Sequence, residues 1–523
     1  MKASPKEPST KASSVVLVAV VALLATFAFP IVPAGATDFA TGPLTQVSDT
    51  SPFSADPAGC DEFGQQSGTV FLDSEVEPWI DVHPTDPRNI VGMWQADRWS
   101  NGGARGHVVG VSTDGGTSWE QVVLPKVTVC SGGTAANGGG YQRTTDPWVS
   151  FAPDGTLHQI SLSFNDIAPP FDPEDFDHAL LASKSTDGGE TWTDPEVVIR
   201  DLDANVFNDK QSLTADPVNG GNVYAVWDRL LFPNSEAASV RSSFTTSAFR
   251  GPIWFNRSTD NGDSWEEARK IYDPGQNDQT ISSQIVVRPN GKLVNLFAEF
   301  RNQNSKELRG WNVRVIRSAD QGETWSGPIQ VARLQTIGIT DPETGDGVRT
   351  GDIVPDVAVD PDNGKLYAVW QDARFSGFEN DSIAFSKSSD GGRTWSDPVK
   401  VNATPTNIPA GDQQAFTASV DVAEDGAVAV TYYDFRNNTG AADLRTDYWA
   451  VHCHGGCKDA SNWEDEERIT NTPFDMRQAP LTGTGFFTGD YEGLASARNH
   501  FTPFFSQTHG SDPSSVFFRR VGP

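Results

Sequence analysis

The chain is poor in basic residues. Its 39 Lys and Arg stand against 69 Asp and Glu over 523 residues, a formal charge of −30. That deficit excludes nucleic acid and anionic membrane as partners, since either polyanion would be repelled. Long apolar runs are lacking too. The single one, Val15 to Phe29, falls short of the ~20 residues needed to span a bilayer. Cysteine is scarce, at four residues, so packing rather than a disulfide framework must carry the fold.

The one apolar run reads as an export signal. Lys2, Lys6 and Lys11 precede it, and Ala34-Gly35-Ala36 follows as a small-residue cleavage site. Residues 1–36 are expected to be a signal peptide and residues 37–523 a secreted protein. No Cys lies close behind the run, which speaks against a lipid anchor. In an oxidising compartment the simplest of the three cysteine pairings is Cys60–Cys130 with Cys453–Cys457. A metal site on His452-Cys453-His454-Gly-Gly-Cys457 is the competing reading.

What the chain has in quantity is one short pattern. It occurs as Ser112-Thr-Asp114-Gly-Gly-Thr-Ser-Trp119, Ser185-Thr-Asp187-Gly-Gly-Glu-Thr-Trp192 and Ser258-Thr-Asp260-Asn-Gly-Asp-Ser-Trp265, and again as Ser318-Ala-Asp320-Gln-Gly-Glu-Thr-Trp325 and Ser388-Ser-Asp390-Gly-Gly-Arg-Thr-Trp395. Each reads as a tight hairpin in which the Asp accepts backbone N–H bonds, glycine permits φ > 0, and the Trp buries its ring against the next repeat. This is the Asp-box, and over most of its length the chain resembles the sialidase superfamily of Asp-box β-propellers.

The tryptophans, with a degenerate sixth at Trp463, lie 73, 73, 60, 70 and 68 residues apart. A period that long with β-type sequence between predicts four-stranded propeller blades. Paired apolar runs around Asn-Gly or Asp-Gly, as in Val357 to Trp370, predict the inner hairpin of each blade. Such units start near Trp79, Trp148, Leu213, Ile285, Val357, Phe416 and Tyr491, which favours seven blades over the six usual in sialidases. The seventh stops before a fourth strand. Leu44 to Ser48 is expected to supply it beside Val516–Arg519, closing the ring between the chain ends and removing exposed edges.

In a propeller the Asp-boxes point away from the active face, so they read as structural. The opposite face carries a second repeat. Asp97-Arg98, Asp228-Arg229, Glu299-Phe-Arg301, Asp372-Ala-Arg374 and Asp434-Phe-Arg436 end the second strands. Glu77, Asp146, Asp209, Asp278, Asp352 or Asp356, Asp412 and Asp490 precede the first strands. Most of these pairs read as intra-blade ion pairs. Two blades depart: Asp146 faces Asn165-Asp166 rather than an Arg, and Asp490-Tyr491-Glu492 faces Gln507. A buried acid without its cation has a raised pKa, as a general acid requires. Asp146 also follows the glycine-rich stretch Ser131–Gly140, beside Tyr141 and Arg143. The loops Asn165–His178 and Arg229–Gly251 are expected to rim a cleft near Trp99.

The sialidase resemblance implies an arginine trio for a carboxylate, a Tyr–Glu nucleophile and an Asp acid/base. The Arg-Ile-Pro signature is missing, so the candidates rest on position. They are Asp146 as proton donor, Tyr491 and Glu492 as nucleophile and its base, and Arg301, Arg374 and Arg436 for an anion, with Arg143 and Tyr141 beside them. The resulting expectation is a secreted, monomeric, sialidase-like glycoside hydrolase acting on extracellular glycans. A non-catalytic carbohydrate- or protein-binding propeller is the alternative. A polysaccharide lyase, for which His107, His158 and His178 supply candidate bases, is the third reading. No organic cofactor or metal is indicated, with calcium left open.

Overall fold

The computed structural model describes residues 39–53, 60–61, 66–165, 176–233, 250–301, 310–440 and 442–523. The expected signal peptide and most of both expected rim loops lie outside the described residues. Among those described, strand pairing makes seven antiparallel meanders of four strands, here called sheets 1 to 7. Their innermost strands are Glu75–Val82, Arg143–Phe151, Val206–Ala215, Gln279–Val287, Asp356–Val359, Ala415–Val422 and Gly493–Ala497. Each innermost strand contacts the next, and the last contacts the first. The second strands are buried on both faces, so they read as near-continuous apolar runs such as Leu366–Asp372. The fourth strands are partly exposed, as in Glu120–Val123.

Sheet 7 takes its fourth strand from the other end of the chain. Ala40–Gln46 pairs antiparallel with Asp512–Gly522, with Leu44 opposite Arg519 and Gln46 opposite Phe517. Phe39 then stacks on His452 of sheet 6 at 3.9 Å between ring centroids.

An innermost strand has no strand partner on its inner edge, so its backbone groups need other acceptors and donors. Short polar side chains supply them across six of the seven gaps among the described residues. Asp81 accepts from Phe151 N (2.7 Å), Ser150 from Ala215 N (3.1 Å) and Asp356 from Val420 N (2.8 Å). Ser212 and Thr214 donate to Ser283 O and Ile285 O, and Ser419 donates to Glu492 O. Ser506 donates to Glu75 O, tying sheet 7 to sheet 1.

The five Ser-x-Asp turns fold alike. In the first, Ser112 donates to Asp114 (2.9 Å), Gly116 N donates to Ser112 (2.8 Å), Ser118 N donates to Asp114 (2.9 Å) and Trp119 Nε1 donates to Gly116 O (3.2 Å). Gly116 sits at φ 89°, and a Cβ there would lie 2.1 Å from the Phe518 ring. The tryptophans pack on the preceding sheet, not the following one: Trp119 on Phe518, Trp325 on Phe255 and Trp463 on Phe385. At the sixth position the turn is replaced by the Cys453–Cys457 disulfide, and Trp463 Nε1 donates to Cys457 O instead. Cys60–Cys130 is the other disulfide, as the simplest pairing predicted. The sulfurs a metal at 452–457 would use are therefore bonded to each other.

Candidate active site

The site grows out of a repeated break in the innermost strands. Pairing with the second strand slips between Val76 and Trp79, Thr145 and Trp148, Asp209 and Ser212, Ile281 and Gln284, and Phe416 and Ser419. Each slip is a bulge, and its residue has left-handed backbone: Glu77 (φ 53°), Asp146 (53°), Lys210 (47°), Ser282 (62°) and Thr417 (49°). Non-glycine residues hold that conformation at a cost of ~1–3 kcal/mol each. Pro78 and Pro147 follow the first two, where a strand needs no N–H donor. The bulge turns these side chains out of the sheet and toward one another.

Three neighbouring bulges carry charge, and they meet. Lys210 Nζ lies 2.9 Å from Glu77 Oε1 and 2.8 Å from Asp146 Oδ1. It also lies 2.8 Å from Asp490 Oδ2, on the segment entering sheet 7. Arg349 clamps Asp490 from the other side with two contacts, Nε at 2.9 Å from Oδ1. Glu77 is also held by Gln95 Nε2. All three carboxylates are buried, whereas Lys210 keeps 12% of its side-chain surface exposed and Arg349 23%. The two cations, not the carboxylates, are the part of the cluster nearest water.

Burial pushes the Glu77 carboxyl up to about 7, against the pull of Lys210 and with the help of Asp146 and Asp490. Asp146 is raised for the same first reason, again opposed by Lys210. Asp490 goes the other way: burial disfavours its charge, but Arg349 and Lys210 together hold it below the usual carboxylate range. Burial also opposes the Lys210 charge, and the three carboxylates more than offset it. Groups of one type are thus driven apart in proton affinity within one cluster.

Beside Lys210 opens a small cavity of about 30 Å³. Trp79 and Trp148, the residues two beyond the Glu77 and Asp146 bulges, stack at 3.5 Å and line it with Tyr491. Tyr491 lies edge-on to both indoles, with Lys210 Nζ 5.3 Å from its ring centre. Ser212, Gln284, Asp356 and Ser419 add a polar side. Above the cluster, Arg98 and Arg349 share the Phe487 ring at 5.2 and 4.4 Å. Arg98 is 3% exposed, donates Nη1 to Gly103 O (2.9 Å), and its Nε finds no partner among the described residues. Burial, then the repulsion of Arg349, lowers it to about 10. Arg349 and Phe487 come from a small extra sheet in which Gly347–Arg349 runs parallel to Gly485–Phe487.

The structure keeps some expected site residues here and disperses the rest. Asp146 lacks an arginine, as expected, but it is not without a cation, because Lys210 of the next sheet supplies one. Tyr491 is at the site, but its hydroxyl donates to Pro147 O (3.2 Å) rather than meeting Glu492. Glu492 turns away and accepts from Tyr433 (3.0 Å) and Ser506 N (3.0 Å). Arg301, Arg374 and Arg436 do not converge. Arg374 is forked on Asp372, Arg436 is held by Asp434 and Glu466 over Trp449, and Arg301 lies 3.6 Å from Asp278 and Glu299. Asp412 accepts from Asn438, not from Arg436. Arg143 is buried against Trp99, its guanidinium donating to Gln66, Asn101 and two carbonyls, while Tyr141 bonds Asp177 (3.4 Å). The three histidines are spread over separate contacts, His107 on Ser161, His158 on Asn261 and His178 on Asn208.

Sequence reasoning missed Lys210, Arg349 and Arg98 as site residues and took Glu77 for an ion-pair partner, while Asp490, read as an acid facing Gln507 without an arginine, is clamped by Arg349. A signal for Lys210 existed: in Asn208-Asp209-Lys210-Gln211 it is the basic residue at the register of Glu77 and Asp146.

No family model matches the chain, and no curated protein matches it. Solved structures similar to it include a protein of unknown function from Dyadobacter fermentans, with 16% identity, covering 72% of this chain and 94% of that one at a TM-score of 0.45. Others are an α-L-arabinanase of Penicillium chrysogenum (13%, 75% and 94%, 0.45) and a Hadza microbial sialidase (15%, 83% and 74%, 0.45).

Proposed function

We propose that this chain is a secreted seven-bladed propeller, closed by Ala40–Gln46, that hydrolyses glycosidic bonds of extracellular glycans at the Lys210 cluster. The observation that carries the reading is that Glu77 and Asp146 share one ammonium, so their oxygens are no more than two hydrogen-bond lengths apart. Hydrolysis needs a carboxylic acid that protonates the leaving oxygen and a second carboxylate opposite the sugar ring, ~5–5.5 Å away in retaining enzymes. Glu77, near neutrality, and Asp146, raised by burial, are suited to proton transfer at ordinary pH. Trp79, Trp148 and Tyr491 give the site an apolar wall suited to the C–H groups of a pyranose or furanose. Arg98 and Arg349, the former with an unpartnered Nε, suit an anionic substituent such as a carboxylate. The raised Tyr491 hydroxyl, set by burial and then by Glu77 and Asp146, disfavours a phenolate, so Tyr491 is assigned to the wall of the site. Two disulfides fit an extracellular setting, and among the described residues no helix is long and apolar enough to cross a membrane.

The test is release of reducing sugar by residues 37–523 from a panel of α-sialosides, α-arabinosides and uronate-containing polysaccharides. The expected result is turnover of at least one, lost in Asp146→Asn and Glu77→Gln. Binding without turnover across the whole panel would replace the hydrolase with a glycan-binding propeller.

A further inference from the structure

At the end of the sheets that carries the Ser-x-Asp turns, a second charge pattern repeats and then breaks. The residue just before the turn serine is a cation in three successive sheets: Lys184 in sheet 2, Arg257 in sheet 3 and Arg317 in sheet 4. The turn of the following sheet neutralises the first two. Lys184 Nζ lies 2.7 Å from Asp263, and Arg257 Nη2 lies 2.6 Å from Glu323. Asp263 and Glu323 hold the same place, three residues after the turn aspartate. In sheet 5 that place is taken by Arg393, so Arg317 receives a like charge instead of an acid.

Arg288, in the turn between the first two strands of sheet 4, brings a third cation to the same spot. A Cβ on Gly391 would lie 2.3 Å from Arg288 Nη1, and one on Gly392 would lie 3.5 Å from Arg317 Cδ. Adjacent residues of one turn thus touch both side chains, and Arg393 comes next. Arg288 Nε donates to Gly364 O (3.1 Å) and Arg393 Nη1 to Asp390 O (2.8 Å), both of them carbonyls. Arg317 Nε is buried and finds no partner, and among the described residues none of the three arginines forms an ion pair. Burial lowers the Arg317 pKa, and Arg393 and Arg288 lower it further. The one carboxylate whose charge reaches Arg317 is Asp390, already taken up by Ser388 (2.9 Å) and Thr394 (2.7 Å). Acids outnumber bases by 69 to 39 in this chain, so three cations without an acid are an exception that calls for an outside anion.

We propose that Arg288, Arg317 and Arg393 form a binding site for one tetrahedral oxyanion, a sulfate or phosphate group, at the end of the sheets away from the Lys210 cluster. Guanidinium forks bind such groups through paired N–H···O bonds, and a doubly charged anion offsets three cations better than a carboxylate does. A long polyanion is disfavoured by the net charge of −30, so the occupant is a single group, either the free ion or one ester on a sugar. The site stands whether or not the chain is a hydrolase.

Titration calorimetry with sulfate, phosphate, galactose 6-sulfate and glucose 6-phosphate, at an ionic strength held constant with sodium chloride, tests the site. At least one compound should give saturable heat, and Arg393→Glu should weaken it roughly tenfold or more, the scale of one lost charge-assisted hydrogen bond. Arg393→Glu also restores the acid found in sheets 3 and 4, so its Tm without added anion should rise above that of wild type. Sulfate should raise the Tm of wild type and leave that of the variant level. Tighter binding of the esters identifies a sugar substituent as the occupant, and tighter binding of the free ions identifies the inorganic anion. No heat from any of the four, equal heat in Arg393→Glu, or a Tm rise that chloride alone reproduces overturns the site. A lower Tm in Arg393→Glu overturns it too, because the arginines would then be serving the fold.

Discussion

The two ends of the sheets are made from the same repeat and have opposite designs. At the turn end the Ser-x-Asp hairpin recurs with the same Ser–Asp and Asp–backbone bonds, each carboxylate satisfied within its own eight residues and open to water. At the other end the bulge recurs, but its side chain differs from sheet to sheet: Glu77, Asp146, Lys210, Ser282 and Thr417. The first end is local and self-sufficient. The second is buried, and the charges of its Lys210 cluster are met by residues of other sheets. Repetition therefore marks the scaffold, and variation at a repeated backbone position marks the place where chemistry can be assembled.

Replacing the shared cation should break the second end most severely. Lys210→Met leaves three buried carboxylates without their common partner, at an expected cost of about 3–5 kcal/mol. Denaturant unfolding at neutral pH measures it. A loss below 1 kcal/mol would mean that the cluster is far more hydrated than its burial implies.

Next come the isosteric amides. Asp146→Asn and Glu77→Gln should each lower kcat by ~100-fold or more on a cleaved glycan, the scale of one acid–base group. Asp320→Ala, at the turn end, should leave kcat as it is. Equal effects at both ends would erase the proposed division of labour.

The ends should also separate by pH. Glu77 is raised from 4.5 to about 7, so the folded protein holds a proton that the unfolded chain releases. Its contribution is present below pH 4.5 and is lost as pH rises through 7. Asp320 is lowered from 3.8 to about 2, chiefly by the hydroxyl and N–H of Thr324 and by Ser318. Its contribution is present above pH 4 and is lost as pH falls toward 2. Stability measured from pH 2 to 8 should therefore lose its neutral decline in Glu77→Gln and part of its acid decline in Asp320→Ala. Crossed results would reverse the assignment.

The smallest effect belongs to the turns themselves. Asp320→Ala removes hydrogen bonds that water can replace, so its cost should be about 1 kcal/mol. Urea titration against wild type checks it, and a loss as large as that of Lys210→Met would show that the turns are not independent of the ring.

Much of the architecture is legible in the chain alone, because it is written locally. The Asp turn closes over eight residues, the hairpins announce themselves by alternation and glycine, and the pairing of the segment at Leu44 with the C-terminal strand follows from counting strands. Both disulfides come from the same count. The direction in which Trp119 packs was not legible, since it depends on the twist between sheets rather than on the hairpin. Nor was the partner of Asp146. Sequence spacing suggests that an acid is neutralised within its own sheet, and Arg374 with Asp372 obeys that rule. At the bulges, however, left-handed backbone swings the side chain out of its sheet, and Lys210, 64 residues along, becomes its neighbour. The repeat thus determined the strands, their turns and their number per sheet, because those depend on contacts a few residues long. Only the tertiary structure decided which charges meet, because that depends on the angle at which one sheet follows another.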